Sequence, residues 1–156
     1  MNEYDAWKAE QAAAWLDHVR GLSHDIARLR DNIDVLQSLA LPRGVDYARP
    51  VVSASPSPDA IPNAVARLQD SIDDYNATLA LYAAEEYDAQ VRLSSIGDWR
   101  YRDVIIRHYL LGQKWAKVGD DMGYSADYCR ELRTAALPHV YGVMPLEWRV
   151  RVPRAD

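Results

Sequence analysis

Four cations lie close together in the last third of the chain: Lys114, Lys117, Arg130 and Arg133. They surround two glycines, Gly119 and Gly123, and a serine, Ser125. Ammonium and guanidinium groups gathered in this way suit the phosphate oxygens of a nucleic acid, contacts that fix register without reading sequence. An arginine can also give guanine two hydrogen bonds, a contact worth about 1–3 kcal/mol of discrimination. Arg130 is read as the base-contacting group, and Lys114, Lys117 and Arg133 as phosphate contacts. Ser125, Ala126, Asp127, Tyr128, Glu131 and Thr134 complete the same surface. Asp127 and Glu131 carry the wrong sign for phosphate; they either accept from cytosine or hold an arginine in place. For each cation the alternative is an ordinary solvated charge.

Such groups work only if a rigid pair of helices presents them. The stretch from Trp115 to Leu132 meets the steric demands of a helix-turn-helix, in which two helices cross steeply over a short turn. Gly119 is the small residue at the crossing. Gly123 tolerates the positive φ that the turn needs. Val118, Met122, Tyr124, Cys129 and Leu132 fall on the inner faces, and Ser125 can cap the second helix through its hydroxyl. The second helix, Ser125 to about Leu137, would then enter the major groove by its N-terminal end. Ahead of it, Asp98 stands as an N-cap for a supporting helix from about Trp99 to Leu111, with Val104, Ile105, Tyr109 and Leu110 as its apolar set.

Other chemistry finds little footing. The glycines are scattered, so there is no phosphate-cradling loop. His18, His24, His108 and His139 share no metal-ligand spacing with cysteine or carboxylates. Asp73-Asp74 and Glu85-Glu86 read as solvated helix faces. Cys129, the single cysteine, reads as a small core residue rather than a nucleophile. No enzyme, metal or cofactor is expected.

The upstream chain is helical. Val19, Leu22, Ile26, Leu29, Ile33 and Leu36 follow at alternating spacings of three and four, the seam of a coiled coil. This predicts one helix from about Glu3 to Ala40, weak at Gly21. Residues 41–62 hold five prolines and several serines and read as a loop. A second helix then carries Val65, Leu68, Ile72, Tyr75, Leu79, Tyr82, Ala89, Leu93 and Ile96, with Gly97 at its end. Each long helix would reach on the order of 50 Å. Their apolar stripes must be covered, either by each other as a hairpin or by a second copy. The fold class is therefore all-α: two long coiled-coil-forming helices and a C-terminal helix-turn-helix. The domains are 1–97, a helical oligomerisation region; 98–140, the DNA-binding unit; and 141–156, a basic tail. In that tail Trp148 is expected to pack back onto the helices. Arg149, Arg151 and Arg154 either extend the phosphate surface or are solvated.

The net charge of −5 hides an asymmetry. Residues 1–98 hold eight Lys/Arg against sixteen Asp/Glu, and residues 99–156 hold ten against seven. The back of the chain can meet phosphates; the front would be repelled. An apolar fraction of 49% is too high for a disordered protein. Neither a membrane-spanning run nor a signal peptide is visible, so a soluble, cytoplasmic protein is expected.

These residues also carry a resemblance. The run Tyr101 to Trp115, leading into Val118-Gly119 and Met122-Gly123-Tyr124-Ser125, resembles the sigma-factor region 4-like domain of phage and prophage regulators, the ArpU and RinA-type late-gene activators. His108-Tyr109 stands where that family has Arg-Tyr, and Val118-Gly119 where it has Ile-Ala. The upstream helix, Ser/Pro stretch and second helix look similar in layout, as does the ending from Leu137-Pro138 to Trp148-Arg149. The resemblance implies a DNA-binding regulator of phage genes in a bacterial host cell, with double-stranded DNA as partner and RNA polymerase as a further one; a second copy is the partner that the stripes of the long helices suggest. Glycine in place of alanine at 119 would loosen the first helix, and the acidic residues of the second would alter inherited specificity. Two other functions fit the same layout. One is a small-terminase-like DNA-packaging protein, which joins a helix-turn-helix to helical oligomerisation segments. The other is a helical protein-interaction module.

Overall fold

The computed structural model describes residues 2–40 and 60–150. Most of the Pro/Ser-rich stretch, along with Arg151 and Arg154, lies outside the described residues. All regular structure among the described residues is helical. The elements are α1 (Glu3–Ala40), α2 (Ala60–Ser94), α3 (Trp99–Ile105), a π-helical turn (Ile106–Leu110), α4 (Trp115–Met122), α5 (Ala126–Val143) and a 3₁₀ turn (Leu146–Trp148).

Helix α1 matches the predicted span. Helix α2 begins at Ala60, before Pro62, and not after it. A proline in the first turn is tolerated because the amide it lacks would have had no partner within the helix. The same helix ends at Ser94 without help from Gly97, which does not take up a left-handed conformation. Its last turn tightens instead. The Ser95 and Ile96 amides donate to the carbonyls of Arg92 and Leu93, and the Ser94 and Ser95 hydroxyls donate to those of Gln90 and Arg92. Asp98 then caps α3, its carboxylate accepting from the Arg100 amide at 2.9 Å and from the Arg100 guanidinium. Those Arg100 hydrogen bonds pull the Asp98 carboxyl down to about 2.

Chain contacts divide the protein into two compact units: Met1–Asp25 with Ala83–Asp156, and Ile26–Tyr82. In the first, Ala9, Ala12, Trp15, Leu16 and Val19 of α1 are buried in one core. They join Ala89, Leu93 and Ile96, then Val104, Ile105 and Tyr109, and finally Val118, Cys129, Leu132, Ala136, Leu137, Val140 and Met144. The seam of α1 thus continues upstream in alanines, at the same three-and-four spacing. Trp148 packs against this core, its ring 4.8 Å from that of His18. In the second unit Ile26, Leu29, Ile33 and Ile72 are buried.

Helix α5 runs through Pro138 to Val143, past the predicted end at Leu137. An interior proline costs about 3 kcal/mol. Full burial of Val140, with Met144 just beyond the helix, offsets that cost.

Candidate nucleic-acid interface

Helices α4 and α5 meet across the turn Gly123-Tyr124-Ser125. Gly123 has φ 75° and ψ 30°, a left-handed conformation that glycine adopts without steric cost. The Tyr124 amide donates to the Gly119 carbonyl at 2.9 Å and closes the end of α4. Gly119 is buried where α5 begins. A Cβ placed on it would lie 2.5 Å from the Tyr124 carbonyl oxygen and 3.2 Å from the Ala126 nitrogen. The glycine is therefore what allows the two backbones to come this close.

Ser125 is the N-cap of α5, its hydroxyl accepting from the Tyr128 amide at 3.1 Å. Ser125→Ala is expected to cost about 1 kcal/mol of stability, read in urea unfolding, and Ser125→Asp to cost much less. Equal losses in the two variants would remove the capping role.

On the outer face, Lys114 is exposed at the N-cap of α4 and Glu131 is exposed on α5. Ala126 is half-buried beneath the turn. Tyr128 is 37% exposed and meets Tyr124 edge-on, with ring centroids 5.0 Å apart. Arg130 is bonded to Asp127 at 2.5 Å, so the acidic residue holds the arginine. Thr134 donates to the Arg130 carbonyl at 3.2 Å. The Lys117 ammonium lies 2.6 Å from Asp121, which also accepts from Arg107 at 3.1 Å and Gln113 at 3.2 Å. The bond from Lys117, with the charge of Arg107 nearby, holds the Asp121 carboxyl below the usual carboxylate range. Arg133 is half-buried, and its Nε donates to the Tyr109 hydroxyl at 2.8 Å. Of the ten expected site residues, Lys114 ahead of α4 and Tyr128 and Glu131 on α5 are exposed side chains that another molecule can reach, and Asp127 and Arg130 are exposed but paired with each other. Lys117 is exposed and paired with Asp121, Ser125 and Thr134 are exposed but hydrogen-bonded to the backbone of α5, and Ala126 and Arg133 are half-buried. Arg149 donates to the Gly142 and Met144 carbonyls, closing the end of α5.

Behind this face lies a group outside the expected site. His108 is buried at 7% exposure and stacks on Trp115, the ring centroids 3.9 Å apart. Its Nδ1 is 2.8 Å from the Gln113 carbonyl, which can only accept, so Nδ1 carries the proton. Nε2 then accepts from Arg20 Nη1 at 3.2 Å, since a guanidinium can only donate. The imidazole is therefore the neutral Nδ1–H tautomer. Burial pushes its pKa below the ordinary 6.5, and the Arg20 and Arg133 charges add to this against the hydrogen bond to Gln113 and the weaker pull of Asp17. Because the folded value is the lower one, the unfolded chain takes up the proton first as pH falls. The His108 contribution is complete above about pH 6.5 and is lost as pH drops from there through the folded value. Urea midpoints should therefore fall from pH 7.5 to pH 5, and His108→Gln should reduce that drop. The same drop in the variant would assign it to other groups.

Burial likewise pushes the Cys129 thiol up, in keeping with a core residue. Among the described residues no cluster of His, Cys, Asp and Glu could hold a metal ion, and no helix is long and apolar enough to cross a membrane. No protein-family model, no curated protein sequence and no solved structure matches this chain.

Proposed function

We propose that this protein is a sequence-specific DNA-binding regulator of phage or prophage genes, with α4 and α5 as a helix-turn-helix and α5 as the recognition helix. The observation that carries this reading is the turn itself. Gly119 permits close approach, Gly123 supplies the left-handed corner, and Ser125 caps a helix whose first turns leave Asp127, Tyr128, Arg130 and Glu131 exposed. A helix presented in this way can place side chains against base edges in the major groove. The basic balance of residues 99–156 supports an approach to phosphate. The resemblance to sigma region 4-like regulators supports the phage setting and, with it, RNA polymerase as a partner.

Ile26, Leu29 and Ile33 are buried within a single chain, which supports pairing of the long helices inside one protomer over dimerisation along this seam. Selection of binding sites from a randomised duplex pool tests the proposal: a recurrent motif is expected, and an unenriched pool would contradict it. Oligomeric state separates the packaging alternative, since a ring of eight or more copies would favour it and a monomer or dimer the regulator. The interaction-module alternative draws support from the pairing of Arg130 and Lys117 with carboxylates of their own helices.

A further inference from the structure

A cavity of about 350 Å³ opens between α1, the π turn, α4 and α5 within the first compact unit. Arg20, Arg130 and Arg133 line it, together with His108, Trp115 and Asp17. Arg130 has Asp127 as a counter-ion. Arg20 and Arg133 do not: among the described residues their hydrogen bonds run to His108 Nε2 and the Tyr109 hydroxyl, both uncharged, and no carboxylate lies within ion-pair distance of either. Two guanidiniums from helices far apart in sequence thus share one cavity whose lining holds three arginines and a single carboxylate, Asp17, which is bonded to neither of them, so positive charge is in excess there. Like charges brought together at a partly dry site repel, and an anion between them removes that cost.

Each guanidinium keeps most of its five N–H donors after its one hydrogen bond. Planar forks of this kind match phosphate oxygens, and a tetrahedral oxyanion can meet forks from two directions at once. The neutral, stacked His108 fixes Arg20 by accepting from it, and Tyr109 fixes Arg133 in the same way. Both guanidiniums are therefore held in place before any ligand arrives.

We propose that the cavity bounded by Arg20, Arg133 and Arg130 is a binding site for a phosphate group. The group is supplied either by the backbone of bound DNA, a source that rests on the functional reading above, or by a free phosphorylated small molecule. Arg20 belongs to the acidic front of the chain, so the site draws into the interface a residue that charge patterning alone would exclude.

The test uses the full chain and inorganic phosphate. The Trp115 indole and the arginine Nε resonances are followed by NMR during titration, with chloride at equal ionic strength as control. Saturable shifts specific to phosphate are expected. Arg20→Gln and Arg133→Gln should each weaken binding at least fivefold, with the amide spectrum confirming that the fold is retained. Shifts no larger than those of chloride, or variants that bind as tightly as the parent, would overturn the site. The DNA arm measures the salt dependence of DNA binding. If Arg20→Gln lowers the slope of log K against log salt by about one, a backbone phosphate occupies the site. If phosphate binding is lost with the slope unchanged, the site serves a free phosphorylated ligand. A protein that binds phosphate but no DNA would contradict the regulator and leave the site standing for the free ligand.

Discussion

Gly119→Ala should lower the free energy of unfolding by about 2 kcal/mol, although alanine is the better helix former. Helix propensity favours the substitution by about 1 kcal/mol. Against this, the new methyl would sit 2.5 Å from the Tyr124 carbonyl oxygen, and a backbone atom cannot swing aside as a side chain can. Overpacking of this kind typically costs about 1–3 kcal/mol, and the closeness of the contact places it at the upper end, so the contact wins. Gly21 is the matched control. It is also helical, a Cβ there meets nothing within 4 Å, and its φ is not positive. Gly21→Ala should therefore stabilise by about 1 kcal/mol. Urea denaturation of both variants checks the pair. Stabilisation by both would mean that α4 and α5 are not in close contact at Gly119.

Arg130→Ala should weaken binding to a selected DNA site by about 2 kcal/mol, roughly 30-fold, and relax preference at the contacted base pair. Asp127→Ala should do the reverse to affinity. In the free protein Asp127 holds Arg130 in an exposed pair, which is worth little by itself. Removing the carboxylate frees the arginine and deletes a negative charge facing phosphate, so binding to unrelated DNA should tighten and the ratio between specific and random sites should narrow. Fluorescence anisotropy on both kinds of duplex measures this. If neither substitution changes affinity, the exposed face of α5 is not the contact surface.

Much of the helical layout was legible because its signals are local. The three-and-four spacing from Val19 to Leu36 follows from side chains a turn or two apart. The corner Gly123 and the cap Ser125 were legible for the same reason, since each acts on its own backbone. Local signals were least reliable at helix ends. Gly97 looked like a terminator, but two serine hydroxyls stop α2 before it. The expected end of α5 at about Leu137 falls short, because burial of Val140 carries the helix past Pro138. What could not be read locally was which distant residues meet. Ala9 and Ala12 carry no local signal beyond helix propensity, yet they are buried in the same core as Val118 and Leu132. Arg20 lies in the acidic half and nothing near His108 in sequence points to it, whereas the fold sets one against the other across 88 positions of sequence. The pairing of Lys117 with Asp121, one helical turn on, follows a spacing that could have been read in advance.

The most direct measurement is a salt series of binding to DNA taken from around the protein's own gene, beside random DNA of the same length. A DNA-binding regulator predicts one segment bound far more tightly than random DNA, with the preference surviving physiological salt. Weak binding that is equal on both DNAs and gone by about 150 mM salt would leave only non-specific electrostatic attraction and contradict a sequence-reading α5.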